Sequence, residues 1–144
     1  MVFWESTNSL FSFFMKKYAE INTSEFPIVK VVFTGEAADA TNFPFYLEEV
    51  KQAYDHKNKL SIIFDATNAV FPGIAFQKMQ AQWLNDNNEM MKNFCVGTAY
   101  IIPNIIIRNV LKAIFAFQSQ PVPYLVCENS AQAEQWVSEQ LQAS

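Results

Sequence analysis

The chain has 144 residues, a length typical of one domain, and its 51% hydrophobic against 17% charged residues excludes intrinsic disorder. The formal charge of −4 and ten scattered basic residues argue against binding to nucleic acid or electrostatic docking on anionic lipid. The 14 phenylalanines require a thick core, a buried interface or an apolar pocket, and composition does not choose among these three.

The N-terminal part of the sequence admits two interpretations. Apolar residues within 10–18 recur at helical spacing, whereas residues 18–21 and the polar turn after them fit a strand. We favour a strand at about 17–21 that forms a hairpin with the β-branched strand Ile28–Thr34. Residues 43–56 then repeat apolar side chains at helical spacing and predict a helix.

A second strand and a long helix are predicted in the middle of the chain. The short apolar strand Leu60–Phe64 has Asp65 at its carboxyl end, and a Pro-Gly loop follows. The spacing of apolar residues predicts a helix over about 74–93. The Asn- and Asp-rich run at 85–88 predicts a kink or break there, because these side chains compete with the backbone for hydrogen bonds.

The last third repeats the alternation of strand and helix. Strand Val96–Ile102 precedes a helix over about 104–117, and strand Tyr124–Cys127 precedes a final helix whose start is capped by Asn129. The 104–117 helix is predicted to bury one apolar face, formed by Ile106, Val110, Ala113, Ile114 and Phe117. The final helix is predicted to bury Ala133, Trp136, Val137 and Leu141.

Alternating strands and helices predict the fold. Such an order favours parallel strands with right-handed crossovers, and strands that are apolar on both sides favour helices on both faces. We therefore predict one α/β domain over residues 1–144, with a mainly parallel central sheet of four to five strands and helices packed on its faces. The residues predicted to be largely buried are Phe64, Trp83, Ile114 and Trp136.

The order of elements resembles the STAS fold, and more specifically the small bacterial SpoIIAA-like family of the STAS superfamily. The resemblance covers residues 17–141 and rests on the pattern of these segments: 27–35, 60–66, Trp83, 97–115 and 133–136. It implies a non-enzymatic regulatory or protein-interaction module. Because function lives in sites grafted on folds, the resemblance informs the fold more than the role.

The turn after the Leu60–Phe64 strand is the first candidate site. In phosphoswitch STAS proteins this strand ends in Asp-Ser-Ser-Gly, and the second hydroxyl residue is phosphorylated by a partner kinase. The resemblance places Asp65 at the Asp and Thr67 at the acceptor, while Ala66 and Asn68 depart from the pattern. Asp65, Thr67 and Asn68 are therefore candidates for a switch or a partner-binding site, and the alternative is a loop capped by local hydrogen bonds.

An apolar pocket is the second candidate site. The aromatic residues, the interrupted long helix and the apolar 105–117 helix could frame a pocket for a fatty or isoprenoid chain, as in lipid-exchange domains with a related βαβ core. Arg108 and Lys112 stand one helical turn apart and could bind an acidic headgroup. The alternatives are ordinary core packing for the rings and a solvated helix face for the cations.

Catalysis, metal binding and cofactor binding are not expected. The only histidine, His56, lies in a polar helix end, and Cys95 and Cys127 lie in apolar runs without a metal-binding motif. We predict a cytoplasmic chain without stable membrane insertion, because no signal peptide or uninterrupted apolar span is present. The expected partner is an unidentified protein or a second copy in a homodimer; the alternative function is that of a small carrier for an apolar ligand.

Overall fold

A computed structural model describes residues 15–117 and 120–144, without the side chains of Val110, Ile114 and Phe117. Within these residues, five strands form a single sheet: β1 (Ala19–Asn22), β2 (Ile28–Phe33), β3 (Leu60–Asp65), β4 (Cys95–Ile101) and β5 (Tyr124–Cys127). Their order in the sheet is their order in the chain, with β1 antiparallel to β2 and every other pair parallel. The α/β fold and the N-terminal hairpin are therefore confirmed.

Helices connect the parallel strands and close the chain. They are α1 (Asn42–Gln52, continued by a 3₁₀ turn at Ala53–His56), α2 (Ile74–Asp86), α3 (Asn88–Phe94), α4 (Ile105–Phe117) and α5 (Ser130–Ala143). No helix in the described part of the chain is long and apolar enough to span a membrane.

The predicted break of the long helix is present at Asn87, between α2 and α3. The Asn87 side-chain amide donates a hydrogen bond to the Trp83 carbonyl at 2.9 Å, and its backbone N–H donates to the same carbonyl at 3.0 Å. The side chain thus engages the backbone as the sequence suggested. The predicted cap of the last helix is also confirmed, because the Asn129 side chain accepts a hydrogen bond from the Gln132 N–H at 3.0 Å.

Among the described residues, α5 is the one helix that covers the first face of the sheet, and we call this face the α5 face. Ala133 and Val137 of α5 pack against Ile63, Ala99 and Ile101. Gly97 permits a close approach, since a Cβ atom at this position would lie 2.8 Å from Cη2 of Trp136. Trp136 itself is partly rather than largely buried.

The opposite face carries the crossover helices. With right-handed crossovers, strands that follow one another in the same direction place their helices on the same side of the sheet. Ring contacts confirm this arrangement: Phe43 of α1 lies 5.4 Å from Phe76 of α2, and Phe115 of α4 lies 5.1 Å from Tyr100 of β4. Phe64 is buried on this side as predicted.

The predicted inward face of the 104–117 helix is wrong for Ile106 and Ala113, the two of its residues whose side chains are described. Ile106 is 70% exposed and Ala113 is exposed, while Ile107, Leu111 and Phe115 turn towards the sheet. The helix is apolar almost all round, so periodicity alone does not select its buried face. The predicted burial of Ile114 lies outside the described side chains.

Candidate functional site

A cavity of about 400 Å³ lies between the sheet and the crossover helices. We call this side of the sheet the cavity face. Protein interiors normally pack as densely as organic crystals, with few voids larger than a water molecule. A cavity of this volume falls in the range of small-molecule binding pockets, which is roughly 300–1,000 Å³. The cavity is therefore the candidate functional site.

Aromatic rings form the floor of the cavity. Phe64 of β3 stacks on Tyr100 of β4 at 5.2 Å and on Phe33 of β2 at 6.2 Å, so one row of rings crosses three strands. The row arises from strand register, since Phe64 pairs directly with Tyr100 and side chains alternate between the two faces. These planar side chains give the floor a broad apolar surface.

The helices form the roof. Leu47 and Val50 of α1, Trp83 of α2, Met91 of α3 and Leu111 of α4 line the cavity from above. No residue of α2, which is described throughout, reaches full burial. Trp83, predicted to be largely buried, is only partly buried; it borders the cavity and packs against the core beside it.

The cavity opens at the carboxyl ends of β3 and β4. Exposed apolar residues from the β3–α2 loop, Val70 and Phe71, and Ile107 at the start of α4 line the opening. Ile74, Ile105 and Ile106, next to them in the chain, are also exposed. In open α/β sheets the carboxyl ends of the strands are the usual place for ligands. We call this opening the mouth.

The lining of the cavity is uncharged. Among the described lining residues there is no Asp, Glu, Lys, Arg or His. The tyrosines of the cavity are held in their neutral form: burial raises the pKa of Tyr18 to about 12, and burial also raises the pKa values of Tyr46, Tyr54 and Tyr100. For Tyr54 the neighbouring Cys95 thiol raises the pKa further. The cavity therefore has no fixed charge near neutral pH.

Some polar groups of the lining are paired within the protein. The Tyr18 hydroxyl donates a hydrogen bond to the Val70 carbonyl at 3.0 Å, which ties β1 to the mouth. The Tyr100 hydroxyl donates to the Gln120 side-chain oxygen at 3.3 Å. Three other polar atoms, on Tyr54, Thr98 and Gln120, are buried and have no hydrogen-bond partner within the described residues.

The structure brings two of the three predicted switch residues together. The Asp65 carboxylate accepts hydrogen bonds from the Thr67 N–H at 3.0 Å and from the Thr67 hydroxyl at 2.5 Å. Thr67 and Asn68 are exposed, and Thr67 also lines the mouth. The local hydrogen bonds of a capped loop are thus present, and Thr67, the residue predicted to accept phosphate, is accessible to solvent.

Arg108 and Lys112 lie outside the cavity lining. The Arg108 guanidinium donates hydrogen bonds to the Ile102 and Pro103 carbonyls, both at 2.9 Å, and lies 3.6 Å from the Glu128 carboxylate. Lys112 is exposed. The two cations border an open depression beside Trp136 of α5. Arg108 therefore orders the loop after β4, and neither cation lines the cavity.

Comparison with known proteins adds no assignment. No protein-family model, no curated protein and no solved structure matches this chain. The resemblance to the STAS superfamily accordingly stays a prediction based on the order of elements. The site itself is therefore the evidence for function.

Sequence reasoning missed the polar residues of the cavity, although one signal was present. Thr98, which lines the cavity, and Ser61, which does not, are polar residues within strands that are apolar on both sides. The Ser61 hydroxyl donates to the Gly97 carbonyl at 2.6 Å, whereas the Thr98 hydroxyl has no partner in the described part of the chain. A buried polar residue in such a strand needs a partner, so it marks either a structural hydrogen bond or a site.

Proposed function

We propose that this chain binds a small apolar ligand in the cavity between the sheet and helices α1–α4. The observation that carries the proposal is an uncharged cavity of about 400 Å³ lined by aromatic and aliphatic side chains. An empty apolar void deprives its lining atoms of dispersion contacts, so a ligand that fills it gains those contacts. Transfer of the ligand from water adds about 25 cal/mol per Å² of apolar surface buried.

The architecture supports ligand exchange through the mouth. The loops that follow β3 and β4 carry exposed apolar residues, among them Phe71 and Ile107, so the path from solvent into the cavity is itself apolar. Below them the stacked rings of Phe64 and Tyr100 offer a flat contact surface. These features suit a carrier or sensor of an apolar molecule.

The proposal is tested by ligand detection and by a matched pair of variants. Native mass spectrometry of protein purified without detergent, followed by organic extraction, should reveal a co-purifying apolar molecule. In parallel, binding of the neutral dye Nile red should be measured by fluorescence for the unmodified protein and for Ile107→Glu and Ile106→Glu. Ile107 lines the cavity, whereas the neighbouring Ile106 is 70% exposed and does not.

We expect Ile107→Glu to weaken dye binding about tenfold or more, which corresponds to at least roughly 1.4 kcal/mol, because a carboxylate at the cavity wall loses solvation. Ile106→Glu should change binding less than about twofold, a difference below roughly 0.5 kcal/mol. Equal weakening by both variants, or the absence of any binding to the unmodified protein, would contradict the proposal.

A regulatory role of the STAS-like type is the second candidate function. The exposed position of Thr67 at the carboxyl end of β3 favours it, because a kinase could reach this hydroxyl. Phosphate on Thr67 would add about −1.5 to −2 charges beside Asp65 and at the mouth. Phosphopeptide mapping of the protein from its natural host tests this role: the role requires phosphate on Thr67, and unmodified Thr67 under all growth conditions argues against it.

A further inference from the structure

Exposed apolar side chains surround the mouth. Ile74 is 71% exposed, and Ile105 and Ile106 are 63% and 70% exposed, although none of the three lines the cavity. With Val70 and Phe71 they follow the carboxyl ends of the neighbouring strands β3 and β4, so they lie at one end of the sheet. Proteins in water rarely expose large apolar patches, and such patches usually mark a contact with another group. We call these five residues the mouth surface.

The described chain begins at the same end of the sheet. Because β1 is antiparallel to β2, its amino end lies beside the carboxyl end of β2, where Ala19 pairs with Phe33. The strands β2, β3 and β4 are parallel, so their carboxyl ends share this end of the sheet. Met15, the first described residue, is therefore on the same side as the mouth.

Hydrogen bonds fix the place where residues 1–14 join the described chain. The Lys16 carbonyl accepts a hydrogen bond at 2.9 Å from the side-chain amide of Asn42, which is 1% exposed at the start of α1. The Tyr18 hydroxyl donates to the carbonyl of Val70, a member of the mouth surface, at 3.0 Å. Residues 16–18 are thus bonded to the rim of the mouth, and residues 1–14 are tethered there.

The sequence of residues 1–14 matches the mouth surface in chemistry. Positions 1–4, 10, 11, 13 and 14 are apolar, five of them aromatic, and Glu5 is the one charged residue among the fourteen. The mouth surface consists of valine, phenylalanine and isoleucine. A contact between the two would remove apolar area from water on both sides, which is favourable.

The tethered residues are numerous enough to span the mouth. β4 is the third strand from β1 in the order of the sheet, which corresponds to roughly 14 Å at about 4.8 Å per strand. A run of this length covers about 21 Å as a helix and up to roughly 46–50 Å when extended. Residues 1–14 can therefore reach the loops after β3 and β4 in either conformation.

Attachment at the rim favours this segment over an independent molecule. A binding group on a short tether has an effective concentration on the order of millimolar, so it reaches the surface before a second copy of the chain does. The formal charge of −4 opposes docking on an anionic lipid surface.

We propose that residues 1–14 pack across the mouth and cover the mouth surface with their apolar side chains. This contact rests on the mouth surface and the tether, and it needs no ligand. Where the cavity binds a ligand, as proposed above, the segment covers the mouth before and after binding. It then slows entry and exit alike and leaves the equilibrium affinity unchanged.

Cross-linking of the full chain with a short bismaleimide tests the contact without a ligand. Phe11→Cys is combined either with Ile106→Cys on the mouth surface or with Glu36→Cys in the loop after β2. Glu36 is exposed and follows a strand that lies closer to β1, but it does not belong to the mouth surface. The native Cys95 and Cys127 are buried, and Phe11→Cys alone measures their residual reactivity.

We expect the intramolecular cross-link to Ile106→Cys to form at least about fivefold faster than the cross-link to Glu36→Cys. A segment that is tethered but not docked would react with the nearer Glu36→Cys at least as fast. Adding Phe13→Ser and Phe14→Ser should remove the preference for Ile106→Cys, because these changes delete apolar side chains of the segment.

Ser6→Ala and Ser9→Ala are the matched control within the segment and should keep the preference. Thermal midpoints of all variants check that the fold is intact, so a lost preference is read only from variants that remain folded.

Stopped-flow measurements with Nile red test the consequence for ligand exchange. In the Phe13→Ser and Phe14→Ser double variant, the association and dissociation rates of the dye should both rise at least about threefold. The dissociation constant should stay within about twofold, because both rates change together.

Two outcomes overturn the inference. Equal cross-linking rates for Ile106→Cys and Glu36→Cys would show that the segment is only tethered. Predominantly intermolecular products at Ile106→Cys would assign the mouth surface to contacts between copies. Neither outcome affects Nile red binding, so the proposed function would stand; failure of the dye to bind overturns the proposed function, and the cross-linking rates still decide the contact.

Discussion

The two faces of the sheet are built from different kinds of side chain and reach different packing. On the α5 face, small residues such as Gly97, Ala99 and Ala133 let the helix approach the strands closely, and the contact is solid. On the cavity face, large rings such as Phe64 and Tyr100 stand between sheet and helices, and a void of about 400 Å³ remains. Planar, stiff side chains hold two layers apart unless their shapes interlock. An aromatic-rich composition therefore does not measure how densely a protein packs.

The largest expected difference between the faces comes from two adjacent isoleucines of β3. Ile63 is buried against α5, while Ile62 is buried on the cavity face and lines the void. Ile63→Ala should lower the free energy of unfolding by about 2–5 kcal/mol, as in other large-to-small core substitutions. Ile62→Ala should cost about half as much, because the cavity beside it gives neighbouring side chains room to rearrange into the space that the truncation opens.

Urea titration of the ligand-free protein measures both variants. The two residues share strand, residue type and burial, so the ratio of their effects isolates packing on the two faces. Equal losses would mean that the cavity face is as well packed as the α5 face and would break the comparison.

Alkaline pH should destabilise the protein mainly through the cavity side, where several ionisable groups are buried. Burial raises the pKa of Cys95 from its ordinary 9.0 to about 11. Between these values the unfolded chain releases the thiol proton and the folded protein retains it. The contribution of the Cys95 thiol to the free energy of unfolding is thus complete below pH 9 and is lost as the pH rises to 11. At 1.36 kcal/mol per pKa unit, this lowers the free energy of unfolding by roughly 2–3 kcal/mol.

Unfolding free energies measured from pH 8 to pH 11 test this expectation. Cys95→Ala should make the decline of the unfolding free energy with rising pH less steep. Cys127→Ala, near the α5 face, should alter this decline less, since the backbone of Asn129 and, to a smaller extent, Arg108 oppose the effect of burial on the pKa of the Cys127 thiol. A stability that stays constant across this range would show that the buried thiol ionises freely.

The close approach on the α5 face predicts the next effect in size. Gly97→Ala places a Cβ atom 2.8 Å from the Trp136 ring and should cost about 1–3 kcal/mol through overpacking. Gly73→Ala is the matched control, because no atom lies within 4 Å of its added Cβ. Gly73 is the N-cap of α2, so this substitution should lower the free energy of unfolding by less than about 1 kcal/mol, the usual cost of a weaker cap residue. Thermal unfolding measures both, and Trp136→Leu should restore part of the loss in the Gly97→Ala background.

The smallest effect on stability is expected at the mouth. Thr67 is exposed, and within the described residues its hydroxyl hydrogen-bonds to Asp65 only. Thr67→Ala should therefore change the free energy of unfolding by less than about 0.5 kcal/mol. Thr67→Glu adds a carboxylate at the apolar opening and should weaken Nile red binding several-fold. If Thr67→Glu bound Nile red as tightly as the unmodified protein, a charge at Thr67 would have no effect on ligand binding in the cavity.

The sequence predicts the strands, the hairpin and the helix break, because each has a local physical cause. β-branched runs define β2 and β3, and Asn87 competes with the helical backbone through its own side chain. The cavity has no such local cause: phenylalanines at helical spacing look the same whether they fill a core or line a void. The orientation of α4 fails for a related reason, since a helix with apolar residues on nearly every side does not specify which of them faces the sheet.

The chain-order arrangement of the strands has a consequence for folding kinetics. Every strand pairs with its sequence neighbour, so the sheet and helices α1–α4 can assemble one crossover at a time, without a pairing that skips a strand. Helix α5 instead packs on β3 as well as on β4, so part of its contacts reach back past a whole strand–helix unit. We therefore expect low φ-values for Val137 and Ala133. Truncating Val137 to Ala should accelerate unfolding in a stopped-flow chevron experiment and leave the refolding rate nearly constant.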